Sequence, residues 1–226
     1  MSGYFITGTD TGVGKTMIAA ALIRVLAKSG HKVVGMKPVA SGCRQTEDGL
    51  RNDDAERLMA QASVSAPYAS VNPYAFEPAI APHIAAREAG IRIELETIID
   101  SFETLSATAD SIIVEGVGGW RVPLGRVITT EHMAKALNLP VVLVVGLRLG
   151  CLNHALLTVE AIKLAGLPLA GWVANRVEAG VDHGDEMVGT LVHHIAAPLV
   201  GDVPFSENGT IDSVAAYLNL DGLISS

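Results

Sequence analysis

The chain has 226 residues, a formal net charge of −8, 49% apolar residues and two cysteines. That length suits one α/β domain, and an acidic balance without any lysine or arginine cluster argues against a nucleic-acid backbone or a membrane surface as partner. The longest apolar run, residues 140–147, falls short of the roughly 18 residues a membrane span needs, the first strand begins too early for a secretory leader, and Cys43 and Cys151 lack metal-site spacing, so a soluble cytoplasmic protein is expected.

The apolar residues Tyr4, Phe5 and Ile6 lead into Gly-Thr-Asp-Thr-Gly-Val-Gly-Lys-Thr at residues 8–16, and Ile18, Leu22, Val25 and Leu26 then stripe one helical face until Gly30 stops it. A strand, a glycine-rich turn and a helix in that order make a phosphate-binding loop. Unpaired N–H groups from Gly12, Val13, Gly14 and on to Met17 would cradle phosphates at the positive end of the helix. Lys15 would reach the β- and γ-phosphates, and the Thr16 hydroxyl would join the shell of a Mg²⁺. The spacing is a variant, because Thr9 stands where the common pattern places its first glycine.

Residues 32–36 read as a second strand, halted by Lys37-Pro38, and 39–52 as a small and polar loop. Asn52-Asp53-Asp54 caps a short helix to about residue 62, and 63–82, with four prolines, reads as an ordered surface excursion. Helices follow over 83–89 and 94–107. The β-branched run 110–115 is a buried parallel strand closing on Glu115, then glycine. Residues 116–125 are glycine-rich loop, 129–138 helix, 141–145 an apolar strand, and Leu152, Leu156, Val159 and Ile162 stripe a helix ended by Gly166. A strand over 169–174 arrives at Asn175; a helix over 186–195, a strand over 199–203, a turn over 204–209 and a last helix complete the chain.

Such alternation predicts an α/β, P-loop NTPase-like fold: a doubly wound, mostly parallel sheet with helices on both faces, one domain over residues 1–226. Lys15, Thr16, Lys37, Asp54, Glu115 and Asn175 then fall on one rim of the sheet, where open α/β sheets hold ligands. Thr16, Asp54 and Glu115 offer hard oxygens to Mg²⁺ beside phosphate. Asp54 could equally be a helix N-terminal charge and Lys37 a snorkelling surface lysine. Glu115 at the end of a core strand requires a partner. His83 carries no assigned chemistry, the cysteines read as packed thiols, and Trp120 and Trp172 as core or subunit contacts.

The series resembles the dethiobiotin synthetases, ATP-dependent cyclo-ligases of biotin biosynthesis. The likeness lies in the loop at 8–16, Lys-Pro-Val-Ala-Ser-Gly at 37–42, Asn-x-Asp-Ala at 52–55, Val-Asn-Pro-Tyr at 71–74, Val-Glu-Gly-Val-Gly-Gly-Trp at 114–120, Leu-Gly-Cys-Leu-Asn-His-Ala at 149–155 and Gly-Trp-Val-Ala-Asn at 171–175. The resemblance implies that ATP and Mg²⁺ act on 7,8-diaminopelargonic acid and CO₂ (or bicarbonate) through a carbamate and its mixed phosphoric anhydride. It implies catalytic roles for Lys15 and Lys37. Thr11, Lys37, Ser41, Val117 and Gly118 would meet the diamine-carbamate end, while Glu115, Gly116, Val117 and Gly118 flank the nucleotide. Asn175, Arg176, Pro204, Phe205 and Ser206 would hold adenine. A homodimer is implied too, with Leu152 and Asn153 of the neighbouring subunit receiving the far carboxylate. Met187 stands near the place of a tyrosine that some members contribute from across the dimer.

One rival is a dimeric switch ATPase of the partitioning or cell-division type, which carries Lys-Gly-Gly-x-Gly-Lys-Thr in the loop. Its first lysine would fall at position 10, where this chain has Asp10. An amidotransferase-linked synthetase, the second rival, would carry or recruit a glutaminase domain.

Overall fold

The computed structural model describes residues 2–220 and 223. Strand β1 (Ser2–Gly8) enters the phosphate loop and helix α1 (Lys15–Lys28) leaves it. Then come β2 (Val33–Met36), the short strands β3 (Val39–Ser41), β4 (Arg44–Thr46) and β5 (Gly49–Arg51), and α2 (Asp53–Gln61). The middle of the chain holds α3 (Tyr68–Val71), β6 (Tyr74–Phe76), α4 (Pro82–Glu88), α5 (Leu95–Ser106), β7 (Ser111–Glu115) and α6 (Thr130–Leu137). It ends with β8 (Val141–Leu147), α7 (Cys151–Leu164), β9 (Leu169–Arg176), α8 (Gly184–His194), β10 (Leu199–Val203) and α9 (Ile211–Ala215).

Six strands form one sheet in the order β10-β9-β8-β1-β7-β2, and every pairing in it is parallel. Strands β7 and β8 are buried along their whole length, which is why their interiors read as apolar runs without alternation. Successive residues nevertheless feed opposite layers: Phe5 packs with Ile98 of α5 and Met133 of α6, whereas Ile6 packs with Ile18 and Leu22 of α1. Helices α7 and α8 extend the first layer, where Cys151, Ala155, Val188 and Leu191 cover Leu143 and Val145. Trp120 and Trp172 both belong to this interior.

The register positions the chemistry. Ile6 pairs with Glu115 and Gly146 with Asn175, so the ends of β7 and β9 flank the loop that leaves β1. Asn52 caps α2 as its side chain accepts from the N–H groups of Asp54 and Ala55, satisfying two donors that a helix start leaves open.

Two expectations are corrected. Residues 39–52 are not plain loop but contain β3, β4 and β5, and the excursion at 63–82 contains α3 and β6. Strand β3 pairs in parallel with β6, which lies 35 positions on at the register pair Val39–Tyr74, and β4 pairs with β5 in a tight antiparallel ribbon. Three-residue strands are too short to display a period of two, and a pairing so distant in the chain leaves no local signal. Among the described residues no helix is long and apolar enough to cross a membrane.

Candidate active site

The loop between β1 and α1 is shaped by two glycines with positive φ, Gly12 at 76° and Gly14 at 88°. Gly14 precedes α1 directly, and a Cβ there would stand 2.2 Å from the Asn175 side-chain nitrogen, so only glycine fits. Asn175 uses that nitrogen to donate to the Val13 carbonyl at 2.9 Å, which ties the end of β9 to the loop. Asp10 organises the other side. Its carboxylate accepts from the Thr11 N–H at 2.7 Å and from Arg148 Nη2 at 2.6 Å, and its carbonyl accepts from Lys15 Nζ at 2.9 Å.

Below the loop lies a polar cluster whose centre, Lys37 and Glu115, is buried. Lys37, 4% exposed, donates from Nζ to Glu115 Oε1 at 2.6 Å and to Asp54 Oδ2 at 2.9 Å. The Thr16 hydroxyl donates to the same Glu115 Oε1 at 2.9 Å. Burial alone would discharge Lys37, but Glu115 and then Asp54 outweigh it and hold the ammonium above the ordinary lysine pKa. Burial likewise works to raise Asp54, and Lys37 overrides it to leave that carboxyl below its usual range. Lys15, 7% exposed, donates to the Asp10 carbonyl and touches no carboxylate among the described residues. Burial, then the charge of Lys37, bring its pKa down from 10.5 to about 8 against the pull of Glu115, Asp54 and Asp10. Two buried lysines in one cleft are thus tuned in opposite directions.

Glu115 Oε2 is buried without a hydrogen-bond partner, and so is Ser41 Oγ. Orphaned buried oxygens call for a ligand or ion. With Thr16 and Asp54 alongside, Glu115 supplies the hard-oxygen set that a phosphate-bound Mg²⁺ uses. Among the described residues no three His, Cys, Asp or Glu side chains gather to hold a metal by themselves, so phosphate oxygens and water would have to complete the shell.

A cleft of about 750 Å³ opens over these groups and is lined by Thr11, Gly12, Gly14, Lys15, Thr16, Met17, Lys37, Ser41, Asp54, Glu115, Val117 and Gly118, among others. Gly116 is at its edge, with its carbonyl 3.5 Å from Lys37 Nζ. A second cavity of about 500 Å³ shares Gly12, Gly14 and Met17 with the first and is walled by Asn175, Arg176, Pro204, Phe205 and Ser206. Arg176 is itself engaged by Asp202 and Asp185, so its guanidinium serves the wall rather than standing free. Leu152 and Asn153, on the first turn of α7, line neither cavity. Met187 packs on α8 with its sulfur 3.8 Å from that of Cys151.

Sequence reasoning missed Arg57. It lines the larger cleft from α2, close enough for Nη1 to lie 3.4 Å from Met17 Sδ. An arginine on an amphipathic helix carries no local mark of such a role; only the packing of α2 against α1 and β2 reveals it.

A sequence profile for a family described as an AAA domain matches residues 2–211. The ATP-dependent dethiobiotin synthetase of Pseudomonas aeruginosa UCBPP-PA14 is 50% identical over 221 residues, covering 97% of each chain. That of Cellvibrio japonicus is 48% identical, covering 98% of this chain and 97% of its own, and that of Xanthomonas oryzae PXO99A is 45% identical, covering 96% and 97%. Among solved structures, the MinD cell division protein of Aquifex aeolicus superposes with a TM-score of 0.58 at 16% identity, over 97% of this chain and 88% of its own. A ParA family ATPase of Chlorobium tepidum gives 0.54 at 16% identity, over 100% and 94%. These two establish the P-loop NTPase-like fold and nothing finer.

Proposed function

Since the chain belongs to the dethiobiotin synthetase family of ATP-dependent ligases, we propose that it closes the ureido ring of dethiobiotin on 7,8-diaminopelargonic acid, with CO₂ and ATP as co-substrates. One amine adds to CO₂ and loses a proton, giving a carbamate. A carbamate oxygen then attacks the γ-phosphorus and ADP leaves. The second amine attacks the carbonyl carbon of the mixed anhydride and loses a proton, and phosphate departs as the ring closes.

The observation that carries this reading is the single cleft in which Lys15, Lys37, Thr16, Asp54 and Glu115 meet the unpartnered Ser41 hydroxyl. A carbamate approaching a triphosphate brings two anions together, so catalysis must come from positioning and positive charge. Lys15 would follow the β- and γ-phosphates, Lys37 the transferring group and the carbamate, and Arg57 would add a third cation at the wall. Thr11 and Ser41, with the N–H groups of Val117 and Gly118, would hold the diamine-carbamate end. Thr16, Asp54 and Glu115 would hold Mg²⁺. When bound, that ion would neutralise phosphate charge. Asn175, Arg176 and the turn Pro204, Phe205 and Ser206 would enclose adenine.

Leu152 and Asn153 line neither cavity of their own subunit. That placement supports a homodimer in which they complete the carboxylate end of the neighbour's site. Asp10 at the place of the switch-ATPase lysine stands against that rival, which the shared fold alone does not exclude.

Two measurements test the reading. The diamine at about 100 times its dissociation constant should stabilise the protein by about 2.7 kcal/mol; no shift in melting temperature with the diamine, alongside a clear shift with nucleotide, would refute the substrate. The second concerns Lys15. With its free-state pKa near 8, bound phosphates raise that value, so nucleotide binding should take up protons at about pH 8.5 and scarcely any at about pH 6.5. Calorimetry in buffers of differing ionisation enthalpy reads this directly. Equal uptake at both pH values would remove Lys15 from the phosphate contact.

A further inference from the structure

A third cavity, of about 550 Å³, lies between α4 and the turn at residues 124–128, within the size range of small-molecule sites. Its floor is apolar, with Ala86, Ile93 and Leu124 all buried. Its rim carries Arg87, Arg92 and Arg126, and among the described residues no acidic one lines it. His83 also lines it, one helical turn before Arg87, and its Nδ1 is buried without a hydrogen-bond partner. The turn bearing Arg126 is fixed in place, as the N–H groups of Leu124 and Gly125 both donate to the Ile128 carbonyl.

The arginines set this place apart. Six of the ten in the chain, Arg24, Arg44, Arg51, Arg121, Arg148 and Arg176, reach a carboxylate. Of the four with no carboxylate contact among the described residues, Arg57 lines the cleft proposed for phosphates, and the other three line this one cavity. In a protein of net charge −8, three guanidinium groups line one cavity, and none of the three is paired with a carboxylate among the described residues. A planar fork of donors of this kind suits carboxylate or phosphate.

We propose that this cavity is a second binding site, separate from the nucleotide cleft, for a small amphipathic anion: a carboxylate or phosphate head held by Arg87, Arg92 and Arg126, with a short apolar body lying on Ala86, Ile93 and Leu124. Its position gives it a route to the catalytic cleft. Pro82 and Val122 line that cleft, and the same two segments continue into His83 and Leu124 of the second cavity.

The test is calorimetric titration of the full chain, saturated with ADP, with octanoate and with octyl phosphate; octanol and inorganic phosphate report the apolar and ionic halves alone. One saturable site per chain is expected for at least one amphiphile, with the better of the two identifying the head group. It should weaken by tenfold or more in the triple variant R87Q/R92Q/R126Q, while Arg24→Gln leaves it unchanged and ATP affinity in the triple variant is retained. Absence of saturable binding for both amphiphiles, undiminished binding in the triple variant, or octanol binding as tightly as octanoate would overturn the proposal.

Discussion

Replacing Lys37 by alanine is expected to lower turnover by about 100-fold or more and to destabilise the protein at the same time. Its ammonium is the only cation in contact with the buried carboxylate of Glu115 among the described residues, and that side chain is 1% exposed. Removing one member of a buried ion pair leaves an uncompensated charge and costs about 3–5 kcal/mol, which for a chain of this size is a fall in melting temperature of roughly 6–20 °C. The two effects separate in a double variant. Lys37→Met with Glu115→Gln removes both charges, so melting temperature should recover substantially while turnover stays low. If the double variant melts no higher than Lys37→Ala, the pair is not what holds this part of the fold; near-normal turnover in Lys37→Ala would refute the catalytic role proposed for it.

Lys15→Ala should lose turnover to a similar degree, about 100-fold or more, with the opposite behaviour in stability. The hydrogen bond of Lys15 goes to the Asp10 carbonyl, and burial together with the charge of Lys37 already works against its ammonium. Deleting it relieves that repulsion and strands no carboxylate. Melting temperature should hold or rise, and the rise should be largest below about pH 8, where Lys15 is still charged in the folded state. Because the folded-state pKa lies below the unfolded one, the unfolded chain binds more protons between about pH 8 and 10.5. The wild type therefore gains stability relative to the variant across that window. A melting temperature that falls as far as in Lys37→Ala would show that Lys15 is structural.

What could be read beforehand was whatever depends on a long buried run or on a backbone position that side chains forbid. The strands β1, β7, β8 and β9 announced themselves because the stretch of a strand covered on both faces must be apolar, and Gly12 and Gly14 because a turn into a helix needs their conformation. Glu115 was legible because a carboxylate ending such a run requires a partner, and Lys37 proves to be it. What stayed hidden is set by distant pairings. The β3–β6 contact, the brace from Asn175 to Val13 and the presence of Arg57 on the cleft wall each join segments far apart in the chain, and no period or composition marks them. Asp10 is instructive: read only as a departure from another loop, it serves three separate hydrogen bonds through its two carboxylate oxygens and its carbonyl.

An all-parallel sheet gathers the loops that line the cleft on one side and leaves the opposite turns away from it. Gly30 and Gly166, at the turns that precede β2 and β9, have positive φ, and open space surrounds the position a Cβ would take at each. Anchoring the enzyme to a solid support, or grafting a reporter peptide, at either turn would therefore put the attachment on the face turned from the reacting groups, and the immobilised catalyst should keep its chemistry intact.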